Sequence, residues 1–154
     1  MKTVITYGTY DLLHHGHVRI LRRLKGLGER LVVGLSTDQF NEQKGKKTVF
    51  RYEHRAEILE SIVYVDKVFP EVCWDQKRDD ILREYASIFA MGDDWAGRFD
   101  HLQDIVEVIY LPRTLDVSTT DLKAVLSNFD KETAFLLRNS LEQALESVNK
   151  IIKA

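Results

Sequence analysis

The stretch Val4-Ile5-Thr6-Tyr7-Gly8-Thr9-Tyr10-Asp11-Leu12-Leu13-His14-His15-Gly16-His17 decides how the rest of the chain is read. Val4 to Tyr7 is a short apolar run that predicts a buried strand, stopped by Gly8. From His17 to Leu27 the spacing of Val18, Leu21 and Leu24 predicts a helix, ended by Gly28. A turn leading from a strand into a helix places free backbone N–H groups and the positive end of the helix dipole where an anion can sit. His14 and His17 are three residues apart across that turn, so both imidazoles can face one phosphate, and Gly16 lets the backbone come close. A protonated or N–H-donating imidazole there would stabilise charge on a phosphoryl group in transit. The competing readings are a histidine-rich surface turn and a zinc site. Zinc would want a further soft ligand, and the single cysteine, Cys73, lies far away in sequence.

Working outward, strands and helices alternate. Leu31 to Leu35 predicts a second strand, closed by Ser36-Thr37-Asp38, and residues 39–49 are polar and irregular, which predicts a loop. Tyr52 to Ile62 predicts a helix, and Tyr64 to Phe69 a third strand ended by Pro70. Asp75 to Tyr85 predicts a helix, Ser87 to Met91 a fourth strand closed by Gly92, and Val106 to Leu111 a fifth bounded by Pro112. A helix is expected from Ser118. This order implies an α/β fold: a single Rossmann-like, doubly wound domain over residues 1–129 with a five-stranded parallel sheet. The polar segments 8–17, 36–46, 92–95 and 112–120 all follow strands, so they are expected at one sheet edge. Asp130 to Ile152 carries Leu137, Leu141, Leu145, Val148 and Ile152 at steps of three and four. It reads as an appended amphipathic helix, the C-terminal extension 130–154, packed on its own domain or serving a dimer contact.

The 154 residues are 44% hydrophobic and 30% charged with a net charge of −2, which argues against a surface built to hold nucleic acid. No run approaches the roughly 18 apolar residues of a membrane span. A lone cysteine excludes an intrachain disulfide and reads as a reduced core thiol in a cytoplasmic protein.

Other segments carry polar groups with chemical potential. Ser118-Thr119-Thr120 precede Leu122, Val125 and Leu126 and mark a helix N-terminus; capping alone would explain Ser118. With Arg113 and Thr114 just before, an arginine fork plus a helix end makes a receptor for the β- and γ-phosphates of a nucleotide. Asp93 and Asp94 could bind Mg²⁺ or receive ribose hydroxyls. Trp74 and Trp95 wall a pocket or pack in the core. Asp11 stabilises its turn, orients a histidine or meets Mg²⁺. Lys44, Lys46 and Lys47, taken alone, are a solvated basic loop, and Lys77 a surface residue.

Thr9-Tyr10-Asp11 with His14-x-Gly16-His17 resembles the signature of the cytidylyltransferase branch of the HxGH nucleotidyltransferases, and Arg113 to Thr120 resembles that family's second signature. Ser36-Thr37-Asp38, Tyr52-Glu53-His54-Arg55, Trp74-x-Gln76-Lys77 and Met91-Gly92-Asp93-Asp94-Trp95 are similar to the members that act on glycerol 3-phosphate, in register from about residue 2 to residue 125. The resemblance implies transfer of CMP from CTP to sn-glycerol 3-phosphate, giving CDP-glycerol and pyrophosphate, with Mg²⁺ on the nucleotide. It implies catalytic roles for His14, His17, Lys46 and Arg113. CTP would be held by Thr9, Tyr10, Asp11, His14, His17, Lys46, Asp94, Arg113, Thr114, Ser118, Thr119 and Thr120. Lys44 and Lys77 would take the acceptor phosphate. The resemblance also implies a homodimer and a link to teichoic acid or capsule precursors. The rivals are another acceptor (phosphocholine or phosphoethanolamine), an adenylyltransferase using ATP, or a nucleotide sensor without catalysis. The chain departs from the family at Val63, where an arginine is usual before Tyr-Val-Asp, and at Leu115-Asp116, where an acidic residue and glycine are usual.

Overall fold

The computed structural model describes residues 1–112 and 119–152, which divide into two compact units, Met1–Val117 and Ser118–Ala154. The first unit holds a sheet of β1 (Thr3–Gly8), β2 (Arg30–Ser36), β3 (Lys67–Glu71), β4 (Ala86–Gly92) and β5 (Glu107–Leu111). Its order is β3-β2-β1-β4-β5, and every neighbouring pair is parallel. Among the described residues of this unit the α-helices are α1 (His15–Lys25), α2 (Asp38–Gln43), α3 (Tyr52–Glu60) and α4 (Lys77–Arg83). The expected five-stranded doubly wound sheet is therefore present.

The strands are buried on both faces, as helices on both sides require. Val4, Leu31, Val33, Ile88 and Ala90 point to one side, where they meet Leu21 and Leu24 of α1 and Leu59 of α3. The alternate residues Ile5, Tyr7, Val32, Phe89 and Met91 point to the other, against Ile81 of α4 and Phe99, Leu102 and Val106 of the segment before β5. The strand order reverses direction at β1, so a crevice opens beyond the C-terminal ends of β1 and β4, the place where such sheets bind ligands.

Three expectations need correction. Residues 38–43 form α2 rather than loop, because the Thr37 hydroxyl caps the Phe40 amide at 3.2 Å. Six residues are too few for a helical period to show in the sequence. Pro70 does not end β3 but lies inside it. β3 is an edge strand, so the missing N–H costs no ladder bond. Cys73 is exposed, in the turn after β3, not in the core.

The second unit contains α5 (Thr119–Ile152), one unbroken helix of 34 residues. The helix expected from Ser118 and the one expected from Asp130 are the same helix.

Phe89 is fully buried, with its ring centroid 5.8 Å from that of Tyr7 and 5.1 Å from that of Phe99. Phe89→Ala leaves a hole between strand and covering segment, and should cost about 3–5 kcal/mol. Urea titration should show the midpoint falling with an unchanged slope.

Candidate active site

Gly8 ends β1 because Tyr10 folds back over it: a Cβ there would lie 2.6 Å from the Tyr10 ring. The turn that follows holds Tyr10 and Leu12 at φ of 47°, a left-handed conformation that non-glycine residues adopt only when their surroundings impose it. What imposes it is a set of buried charges. Asp11 is 3% exposed, and its two carboxylate oxygens accept the Val49 amide at 2.7 Å and the Phe50 amide at 3.0 Å. Arg55 on α3 is 1% exposed and donates to the Thr9 carbonyl at 2.7 Å, the Phe50 carbonyl at 3.0 Å and the Asp38 carboxylate at 2.7 Å. The histidine turn and the lysine loop after α2 are thus fastened to each other.

At the start of α1 the two histidines cap one another. His14 Nδ1 accepts the Gly16 amide at 3.1 Å, and His17 Nδ1 accepts the His14 amide at 3.3 Å. Their ring centroids are 4.0 Å apart. A nitrogen that accepts an N–H carries no proton, so each neutral ring bears its hydrogen on Nε2. Burial lowers the pKa of His14, helped by His15. Burial lowers that of His17 to about 4, helped by His14 and opposed by Asp11. Of the two forms considered for these imidazoles, the structure selects the neutral N–H donor. The histidines also consume the Gly16 and His14 amides, which leaves a smaller backbone anion site than the turn alone suggests.

His17, Thr9, Tyr10, Asp94 and Trp95 line the crevice beyond β1 and β4, a space of about 190 Å³. The Thr9 hydroxyl is held by Asn41 at 2.9 Å, and the Tyr10 ring lies 5.4 Å from that of His17. Trp95 adjoins Trp74, with ring centroids 5.6 Å apart, and Trp74 adjoins Phe40 at 5.3 Å. Gln76 fixes the turn carrying Trp74 by accepting the Val72 and Cys73 amides at 2.6 and 3.1 Å.

Behind these rings lies a cluster the sequence did not disclose. Lys77 is 3% exposed, with Nζ 2.5 Å from Glu71 Oε1. Lys44 Nζ lies 2.8 Å from Ser36 Oγ and 3.7 Å from Glu71 Oε2, and Ser36 Oγ donates to that same oxygen at 2.5 Å. The two lysines assigned together from the resemblance both face Glu71, while Lys46 is exposed on the loop. Burial pulls the Lys44 ammonium down to about 8 against the attraction of Glu71, with Lys46 and Lys77 adding to the fall. Glu71 had no signal beyond being an acidic residue after a strand proline.

Arg113, Thr114 and Ser118 lie outside the described residues; Thr119 and Thr120 open α5 in the second unit. Among the described residues no three His, Cys, Asp or Glu side chains gather as metal ligands, and both Asp11 oxygens hold amides. Asp11 therefore fits a loop fastener rather than a seat for a resident metal.

A strand-order reversal, a histidine cap and a lysine pair sharing Glu71 are the features this part of the fold presents. Residues 5–134 match the cytidylyltransferase-like family. The chain belongs to that family. It is 58% identical over 123 residues to a glycerol-3-phosphate cytidylyltransferase of Bacillus subtilis, covering 80% of this chain and 95% of that one. It is 55% identical over 130 residues to a glycerol-3-phosphate cytidylyltransferase of Staphylococcus aureus, covering 84% and 98%. A solved lipopolysaccharide core biosynthesis protein from Thermoplasma volcanium shares the fold, with a TM-score of 0.64 at 22% identity over 74% of this chain and 98% of that one. No helix among the described residues of this cytidylyltransferase-like chain is long and apolar enough to cross a membrane.

With its folded-state pKa near 4, His17 is uncharged throughout the neutral range and gains a proton only on strong acidification. Nitrogen-15 NMR of the imidazoles should show Nε2–H and bare Nδ1 for His17 from about pH 8 to pH 6. A cationic ring at pH 7 would refute the donor assignment.

Proposed function

We propose that this chain transfers the cytidylyl group of CTP to sn-glycerol 3-phosphate, forming CDP-glycerol and pyrophosphate. The observation that carries the reading is the Lys44–Glu71–Lys77 cluster, which adjoins the histidine crevice through Tyr7, a ring that lines the crevice and whose centroid lies 4.4 Å from Lys77 Nζ. An acceptor phosphate held by the lysines would face an α-phosphate held at the histidines. The relatives in Bacillus subtilis and Staphylococcus aureus supply the acceptor's identity.

An oxygen of the acceptor phosphate forms a bond to the α-phosphorus of CTP. The bond from that phosphorus to the bridging oxygen breaks, and pyrophosphate leaves with the electron pair. The nucleophile is already an anion, since the second pKa of a phosphomonoester is about 6, and no general base is needed. What the protein contributes is alignment and hydrogen bonds aimed where negative charge collects. The Nε2–H groups of His14 and His17 serve the α-phosphate and the leaving bridge. Lys46, Arg113 and the hydroxyls of Ser118, Thr119 and Thr120 serve the departing pyrophosphate, and Thr114 the phosphate chain beside them. Asp94 serves the nucleoside. Mg²⁺ arrives as part of the nucleotide substrate, on its phosphate oxygens.

The aromatic patch itself argues against choline or ethanolamine tails. Cationic tails are received by open aromatic faces or free carboxylates. Here Lys44 lies 4.3 Å from the Phe40 centroid, Lys77 lies 4.8 Å from that of Trp74, and Arg98 lies 5.2 Å from that of Trp95. The rings already carry the protein's own cations, and Glu71 is neutralised by its lysines. A neutral, hydroxylated tail suits this pocket. We further propose cytoplasmic action and a homodimer, with Val63, 84% exposed, at the position where the family usually has arginine.

The deciding assay offers Mg²⁺-CTP or Mg²⁺-ATP with glycerol 3-phosphate, phosphocholine and phosphoethanolamine, and reads the product by mass. CDP-glycerol is the expected product, and its absence beside another CDP-alcohol would overturn the acceptor. His14→Ala and His17→Ala should each lower kcat by on the order of 10²-fold or more, the scale for losing one preorganised donor. Near-normal turnover in both variants would remove the histidines from the mechanism.

A further inference from the structure

Glu71 stands at the last position of the edge strand β3, 2% exposed, and takes no part in the reaction just described. Its carboxylate faces two ammonium groups from two different elements. Lys77 begins α4, and Lys44 follows α2 at the root of the lysine loop. Oε1 meets Lys77 at 2.5 Å; Oε2 meets Ser36 Oγ at 2.5 Å, and Ser36 hands the contact on to Lys44 at 2.8 Å. Two buried ammonium groups repel one another and each loses hydration, so without an anion between them one would release its proton or leave the pocket. No further carboxylate is paired with Lys44 or Lys77 among the described residues.

We propose that Glu71 is a positioning residue that keeps Lys44 and Lys77 charged and paired as one clamp for the acceptor phosphate, a role that rests on the function proposed above. The arrangement explains how a pocket lined by Tyr7, Phe40, Trp74 and Phe99 rings keeps two cations while it is empty. One carboxylate against two ammonium groups leaves a single net positive charge, and the incoming phosphate supplies the anion that completes the balance. Lys44, its side chain 11% exposed, reaches the carboxylate from the loop side; Lys77, its side chain 4% exposed, reaches it from the start of α4.

The groups facing Lys44 are Glu71 from β3, Lys77 from α4, Lys46 from its own loop, and the Ser36 hydroxyl from β2. Only Glu71 supports its charge, so the neutral Glu71→Gln should lower the inflection of Lys44 from about 8 by about one pH unit or more, the scale for one close opposite charge. The protein labelled with ¹³C at lysine Cε reports this directly by NMR titration, with Lys44 assigned from the signal lost in Lys44→Ala. In parallel, kcat/KM for glycerol 3-phosphate at saturating Mg²⁺-CTP reports the titration of the CTP-bound enzyme before the acceptor binds. The ratio of Glu71→Gln to wild type should fall about tenfold between pH 6 and pH 9. Glu71→Asp, which keeps the charge at shorter reach, should restore part of the lost inflection and also serves should the glutamine variant not fold. An unmoved Lys44 resonance, or a rate ratio flat across pH, overturns the clamp. A moved resonance in a protein that makes no CDP-glycerol supports the clamp and overturns the acceptor reading instead.

Discussion

The site depends on one buried cation. Arg55 brings a guanidinium into a position 1% exposed, and such a charge is tolerable only when its donors find acceptors. It finds them on three separate segments: Thr9 in the turn after β1, Phe50 in the loop before α3, and Asp38 at the start of α2. Asp11 makes the reciprocal bond, offering its carboxylate to the amides on the far side of the same loop. The strained backbone at Tyr10 and Leu12 is held between these ties. Without them the histidine turn would relax, and the lysine loop would have no fixed relation to it.

From that constraint the division of labour follows. The turn presents two imidazoles whose Nδ1 atoms are spent on helix capping, so that only Nε2–H remains as a donor, and His17 lines the crevice. Capping and the proposed chemistry use opposite nitrogens of the same ring, and the backbone amides fix both tautomer and orientation. The loop's base carries Lys44 inward to Glu71 and Ser36, while the next lysine, Lys46, stays in solvent. Gly45, at φ of +70°, makes this division possible, since its left-handed backbone turns the chain between the two lysines.

Much of the fold was legible because burial on both sheet faces writes continuous apolar runs, and because Gly8 and Gly92 stand as the last residues of β1 and β4. α1 instead ends at Lys25 with Gly26 at its cap, two residues before the expected Gly28. The histidine signature and the pairing of Lys44 with Lys77 came through family likeness rather than periodicity. What stayed hidden has physical reasons. α2 is held by a single hydroxyl cap and is too short for a stripe. Pro70 looks like a terminator unless the strand is known to be an edge, which only the sheet order reveals. Arg55 and Glu71 look like surface charges because burial of an ion depends on partners far away in sequence: 46 residues separate Arg55 from Thr9, and 35 separate Glu71 from Ser36. Long-range polar satisfaction leaves no local period.

The same reasoning explains why the proposed acceptor pocket is built from charges rather than neutral donors. A phosphate dianion must shed water to approach a second, similarly charged phosphate, and neutral hydrogen bonds alone repay little of that loss. Two ammonium groups repay it, but buried together in an empty pocket they would discharge or separate. An internal carboxylate resolves the conflict by standing between them until the substrate arrives. The edge strand is where such a carboxylate belongs: β3 pairs on one side only, so its last residue can turn its side chain toward Ser36 and α4 while its carbonyl still accepts the Thr37 amide at 3.0 Å. That backbone bond sets the height of Glu71 against the start of α2, and so ties the placement of both lysines to the sheet rather than to the loop.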